Sequence, residues 1–504
     1  MIFEPVILEK KDYKYIYLAG AIGVGLGLLG SILELYALAL IPLAIGMVFL
    51  CYYKPAFYAL LICFMVPLSI FFDDVGGGFG LSLPTEPMIW LLFLMYLYKS
   101  LISGKFDTRL MKMPLVAFIL INLAWMCVTA FASTMPFVSL KYLLARFWFV
   151  TVFFFFLLNI FSNQSYIRRF LSYMLYGTFI VVAFTLYKHA GEGFSRGWGY
   201  AIMKPFFGDH TIYSAYISFF VPVAIMFAAR GNWFKFSILH RSVFAFIALV
   251  LIVGIIFSYT RASWISLIAA FAFYQAMRFK VQFKHLMMGL FLVSVIGFIK
   301  QDQILYSLES NKQGSADDLE SHAQSVSNIT TDPSNLERVN RWHCAILMFK
   351  EKPVFGFGPG TYTFQYAPFQ RPEDLTLIST NSGDLGNTHS EYFNALSEMG
   401  LIGFLSWVAV FLASIYTGMQ IVYDNSAAPW KRSMAKALLL GLITYYVHAF
   451  LNNFSDFDKI AAPLWGFMAV LVAMKYYQYD EKGRATYNSR TRGSRYNSDP
   501  RSTV

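Results

Sequence analysis

The side chains that could do chemistry in this chain are one histidine followed by a carboxylate, and a scattered set of arginines. His389 stands in Asn387-Thr388-His389-Ser390-Glu391, on a polar stretch a few residues before an apolar run begins. An imidazole with an ordinary pKa near ~6.5 accepts a proton at neutral pH. Glu391 is placed to orient that ring; a helix cap or a bond to a backbone carbonyl is the other use of such a histidine. Arg338 and Arg341 lie three apart, so on a helix they converge on one anion or stand as solvated surface cations. Between residues 188 and 210, Lys188, His189, Arg196, Lys204, Asp209 and His210 stand among Trp198, Tyr200 and Phe206. That mixture suits an anionic headgroup or a sugar face, or an interfacial aromatic belt. Arg261, in Thr260-Arg261-Ala262-Ser263-Trp264, falls between two apolar runs with no carboxylate beside it. An arginine so placed is costly, which favours a ligand-binding role over a structural one. Arg146, expected near the outer end of a span, either snorkels to headgroups or faces a polar cavity.

The elements that must position these groups are set by composition. The 504 residues are 57% hydrophobic, 18% aromatic and only 14% charged, against about a quarter charged in soluble domains. Apolar runs recur from end to end, many near the roughly 20 residues that cross a hydrocarbon core. The chain therefore reads as an all-α, polytopic membrane protein with about 12–14 transmembrane helices and one large loop. The expected spans are 15–33, 35–53, 56–72, 86–99, 113–132, 142–161, 170–188, 211–229, 243–259, 263–277, 286–300, 396–418, 437–452 and 460–475. With both termini inside, well over half of the 40 lysines and arginines fall on the cytoplasmic side. The net charge of +11 then reports orientation by the positive-inside bias, and no nucleic-acid partner is implied. Cys51, Cys63 and Cys127 fall within spans and Cys344 has no partner in its loop, so neither a disulfide framework nor a metal spacing is present. The basic N-terminus before an apolar run reads as an uncleaved anchor.

Four segments follow: transmembrane helices over 1–300, a large outside loop over 301–395 (periplasmic if the envelope is bacterial, as the resemblance below implies), further transmembrane helices over 396–477, and a disordered basic tail over 478–504 facing anionic lipid. Residues 302–333 are polar and expected to be poorly ordered. Ser334 and Glu337 have the form of a capping box. Leu336, Val339, Trp342, Ile346 and Phe349 then predict an amphipathic helix lying on the membrane. Gly356-Phe357-Gly358-Pro359-Gly360 lacks the strand–helix setting of a nucleotide fingerprint and reads as a tight turn. Asp73-Asp74 with Gly76-Gly77-Gly78 reads as a flexible connection. His448, Asn452, Asn453, Asp456 and Asp458 cluster at a helix end, to orient an acceptor or to cap the spans.

In their order, Arg338-x-x-Arg341-Trp342, Pro353-Val354-Phe355-Gly356-Phe357-Gly358-Pro359-Gly360, Thr388-His389-Ser390-Glu391-Tyr392 and Glu398-Met399-Gly400-Leu401-Ile402-Gly403 resemble the O-antigen ligase/polymerase superfamily. Thr260-Arg261-Ala262-Ser263-Trp264 is similar to that family's Ser-Arg-Gly-x-Trp turn. The resemblance covers roughly residues 210–420, and Ser390 departs from the asparagine that many members carry. It implies a bacterial inner-membrane glycosyltransferase. Such an enzyme moves a glycan from undecaprenyl diphosphate to lipid A–core, a growing glycan or a protein at the periplasmic face, with no cofactor and no metal. It further implies that His389 assists the acceptor hydroxyl while Arg261, with Arg338 or Arg341 and Arg196, holds the diphosphate. Guanidinium forks fit phosphate oxygens and stay charged. A non-enzymatic glycolipid transporter is the reading from another class, but it needs polar groups at mid-membrane, where these spans are almost bare.

Overall fold

Proline and small polar residues set where the helices start. Pro55, Pro114, Pro136 and Pro429 each open a helix, where a missing N–H costs nothing and φ is already helical. Asn163, Asp209, Ser237 and Ser390 cap four others by accepting backbone N–H groups. The computed structural model describes residues 17–18, 20–25, 41–72, 80–104, 107–300, 333–375, 379, 386–480 and 483–486. The Asp73–Gly78 connection, the polar stretch 302–332 and the tail beyond 486 lie outside the described residues.

In chain order the main helices are α1 (Ile41–Tyr53), α2 (Pro55–Met65), α3 (Thr85–Ser103), α4 (Pro114–Phe131), α5 (Pro136–Ile160), α6 (Gln164–Gly191) and α7 (His210–Arg230). They continue as α8 (Ile238–Ile256), α9 (Arg261–Arg278), α10 (Phe283–Ile299), α11 (Pro333–Glu351), α12 (Glu391–Tyr423), α13 (Pro429–His448) and α14 (Asp458–Tyr476). Strand pairing among the described residues is confined to two short antiparallel pairs, Ile70–Phe72 with Leu81–Leu83 and Gln478–Tyr479 with Ala485–Thr486. Among the described residues seven helices, α4 to α8, α12 and α14, are long and apolar enough to cross a membrane. The chain is an all-α polytopic membrane protein, as its apolar periodicity predicts.

The core is built around α14. Every residue from Asp458 to Met474 is buried, and a helix apolar all round belongs in the middle of a bundle. It packs on the π-helical stretch Thr151–Phe156 of α5 and on α12 and α13, while α7 packs on α8 and α13, and α12 on α4. The sixth expected span begins later than the helix found: α5 starts at Pro136, so Arg146 stands almost three turns in rather than at an outer end.

A second, smaller core sits against the first turns of α12. Cys344, Ala345 and Met348 of α11 bury against Phe357, Tyr362 and Tyr366. Trp342 stacks on Phe393 of α12 with ring centroids 5.4 Å apart and meets Phe450 edge-on at 5.3 Å. α11 thus packs on the protein through Cys344, Ala345 and Met348, while Ile346 and Phe349 of the expected apolar stripe are half-buried. The helix begins at Pro333, one residue before the expected cap Ser334, and Glu337 pairs with Arg341.

Candidate functional site

The turn carrying His389 is pinned on both sides of the histidine. Thr388 and Ser390 are fully buried. The Thr388 hydroxyl donates to the Ser390 carbonyl at 2.9 Å and accepts the Ser390 N–H at 3.3 Å. Ser390 caps α12 by accepting the Phe393 N–H, and the Glu391 N–H donates to the Ala449 carbonyl. Serine and asparagine both serve as N-caps, which accounts physically for Ser390 at this position. His389 itself is held at φ +48°, a left-handed conformation that histidine adopts more readily than most residues but that still costs about 1–2 kcal/mol. Its backbone N–H donates to Asn387 Oδ1 at 2.9 Å. Its ring, half-buried, makes no hydrogen bond among the described residues. The cap is Ser390, and the imidazole is left for something else.

Cations surround that ring. Burial, then Arg338 and Arg341, lower the His389 pKa to about 4, against the opposing pull of Glu337 and Asp209. The group is therefore neutral at pH 7 and fit to accept a proton, although the same field weakens it as a base. Arg338 is half-buried and donates Nε to the Leu451 carbonyl at 3.3 Å. Arg341 is committed differently. Its Nε pairs with Glu337 Oε1 at 2.6 Å in a buried ion pair, and its guanidinium lies 3.8 Å from the Tyr366 ring centroid. A Cβ on Gly386 would fall 1.9 Å from its Nη1, so the backbone just before His389 rests directly on Arg341. The two arginines do not act as one fork: Arg341 is a buried support and Arg338 the more accessible cation.

The corner between α6 and α7 closes the site. Arg196 Nε donates to the Tyr200 hydroxyl at 2.8 Å, and the Tyr200 ring meets that of His210 edge-on at 4.7 Å. The His210 carbonyl accepts the Thr260 hydroxyl at 3.2 Å, one residue before Arg261 opens α9. Asp209 caps α7 through its Oδ1 and also acts on His389. Buried His448 is held by Ser263, 3.4 Å from its Nδ1, and by Asn452, 3.1 Å from its Nε2. Lys204 is not drawn in; it is exposed, and its carbonyl takes the Lys188 ammonium.

Two expected site residues turn out to be internal struts. Glu391 does not reach the imidazole: its Oε1 accepts the Tyr445 hydroxyl at 2.8 Å and the Ser455 N–H at 2.6 Å, and its Oε2 accepts the Ser455 hydroxyl at 2.9 Å. The cause is the helix that starts there, which swings Glu391 inward. Arg146 does not snorkel; it is buried, with Nε and Nη1 making no hydrogen bond among the described residues. It pairs with Asp456 at 2.5 Å, donates to Ser455 at 3.0 Å and lies 4.9 Å from the Trp407 ring centroid.

Sequence reading quoted Glu398 within a motif but gave it no role. Its carboxylate accepts the N–H groups of Gly360 and Tyr362 and the Asn394 amide. The Gly-rich segment is therefore a clasp. The N–H groups of Phe357 and Gly358 donate to the Ser397 and Glu398 carbonyls, the Leu401 N–H donates to Pro353, and Ser139 donates to the Pro359 carbonyl. It enters a break in α12 at Gly400, whose φ of +67° and ψ of −168° only glycine adopts freely. A Cβ there would meet the Val354 carbonyl oxygen at 2.2 Å. Gly400→Ala should cost about 3 kcal/mol or more, read as a lowered thermal midpoint in detergent; an unchanged midpoint would show that the break relaxes freely. The signal available in sequence was a carboxylate inside an apolar run.

Residues 246–408 match the family model described as O-antigen ligase. That match supports membership of the O-antigen ligase superfamily. The match holds Arg261, Arg338, Arg341, His389, the Gly-rich clasp and Glu398, while Arg146, Arg196, His210 and His448 lie outside it. No curated protein matches the chain. The match also supports a ligase- or polymerase-like activity on lipid-linked glycan.

Proposed function

We propose that the chain transfers a glycan from undecaprenyl diphosphate to an acceptor hydroxyl, with lipid A–core as the acceptor, at the periplasmic face of a bacterial inner membrane. The observation that carries this reading is the His389 ring, free of hydrogen bonds among the described residues and set beside Arg338. In this scheme the acceptor oxygen bonds to the sugar C1 as the C1–O bond to diphosphate breaks. The acceptor proton passes to His389, and the leaving diphosphate carries its charge to Arg338, Arg261 and Arg196. No step assigned here to the protein calls for a metal. Glu391 and Arg146 hold the scaffold in this scheme and do not touch the reacting atoms.

The test is transfer by the purified full chain from a polyprenyl-diphosphate glycan, with core lipid, free glycan and a Ser/Thr peptide supplied in turn. Core lipid as the accepted substrate supports ligation. Chain growth on glycan would make the protein a polymerase, and peptide labelling a protein O-oligosaccharyltransferase. Binding without any product would favour a transporter. In cells, deletion should leave full-length polymer unligated.

A further inference from the structure

The helices that reach the His389 site at one end enclose a second feature at the other. α7, α9, α12 and α13 have His210, Arg261, Glu391 and His448 at the site end. Their opposite ends line a crevice of about 650 Å³ that contains Arg230, Trp233, Tyr274, Arg432 and Lys436. At 1.5 Å per residue, the 21 residues of α7 put Arg230 roughly 30 Å from His210, about one hydrocarbon thickness.

Among the described residues, three cations and no carboxylate line this crevice. Arg432 and Lys436 are four apart on α13, hence on one face, where like charges repel. None of the three head groups has a hydrogen-bond or ion-pair partner among the described residues; Arg230 only lies over the Trp233 ring, 5.3 Å from its centroid. Neighbouring cations differ. Arg241 Nε donates to the Ala228 carbonyl at 3.0 Å, and Lys431 donates to the carbonyls of Met474 and Tyr477. Asp424, close by in sequence, is turned to Ser426. The rest of the lining is apolar, and Ile225, Phe271 and Tyr274 are exposed on the bundle surface. Uncompensated charge at the end of an apolar groove between packed helices of a membrane protein is the pattern that takes an anionic lipid headgroup.

We propose that this crevice binds an anionic membrane phospholipid, with its phosphodiester among Arg230, Arg432 and Lys436 and its acyl chains along Ile225, Leu267 and Phe271. The site faces the leaflet opposite His389, so its occupant is distinct from the glycan donor. Native mass spectrometry of the full chain, titrated with phosphatidylglycerol and phosphatidylcholine, tests it. Phosphatidylglycerol should be retained roughly tenfold better, and the Arg230→Gln/Arg432→Gln/Lys436→Gln variant should lose that preference. Ala229→Trp, which narrows the mouth without changing charge, should weaken retention of both lipids, and Arg230→Lys/Arg432→Lys should keep most of the preference. Equal retention of the two lipids would overturn the proposal, as would an unchanged preference in the triple variant. Displacement by inorganic phosphate would reduce the site to a simple anion cluster, and tighter binding of undecaprenyl phosphate would reassign it to the carrier lipid; either result also overturns it.

Discussion

His389→Ala is expected to lower the rate of glycan transfer by about 10²–10⁴-fold, the usual worth of a general base, while leaving donor binding nearly intact. Among the described residues the ring makes no hydrogen bond that holds the fold, and Ser390 already caps α12, so protein yield and thermal midpoint should stay close to wild type. The pH dependence sharpens the expectation. In the donor-free protein His389 titrates at about 4 because burial and two cations oppose its charged form. A diphosphate bound to those cations removes part of that opposition, so the pKa rises in the complex. A raised pKa means protonation, and loss of the base, at a higher pH. The acid limb of kcat should therefore lie above that of kcat/KM, and donor binding below neutral pH should take up a proton. Wild-type turnover in His389→Ala, or coincident acid limbs, would remove the histidine from the chemistry.

Arg338→Gln should weaken donor binding by about tenfold to a hundredfold, the span expected for one lost charge-assisted hydrogen bond. It should also raise the His389 pKa of the donor-free protein toward the ordinary ~6.5, since Arg338 comes first among the charges that lower it. Arg338→Lys keeps that pKa low but loses the planar fork. Arg341→Gln makes a useful contrast. It leaves the buried Glu337 carboxylate without its cation, a loss of about 3–5 kcal/mol for such pairs, and should reduce folded protein rather than affinity alone. An NMR titration of the His389 ring beside a donor-binding isotherm separates these outcomes. An unmoved His389 pKa in Arg338→Gln would show that the two side chains do not share a site.

The parts of this arrangement visible in sequence are those that depend on local context. His389 and Arg338 stood out because a polar stretch between apolar runs has few reasons to carry them, and the helical period placed α11 within a few residues of its true start. The missed parts depend on partners far along the chain. Glu391 looked like a neighbour of His389 at two residues' distance, but the start of α12 at that very residue sends it toward Tyr445 and Ser455. The pairing of Glu337 with Arg341 was present at four-residue spacing, yet the same glutamate also fitted a capping box, and only the buried setting decides. Glu398 finds its acceptor role through Gly360 and Tyr362, 38 and 36 residues away. Arg146 was misjudged because its helix was begun too late; with Pro136 as the first residue its burial among Trp407 and Asp456 follows.

The break at Gly400 also bears on how the protein meets membranes of different thickness. A continuous helix would carry any change of tilt straight into the turn that holds His389. Here the segment from Leu401 to Tyr423 is joined to Glu391–Met399 through one residue outside helical geometry. The upper segment is fastened instead to α11, the clasp and the Phe450 turn. Hydrophobic mismatch is relieved mainly by tilting the spanning helix, at fractions of a kcal/mol per Å. That tilt can be absorbed at Gly400 as at a gimbal, so the height and heading of the imidazole are referenced to the protein's own cap rather than to the bilayer.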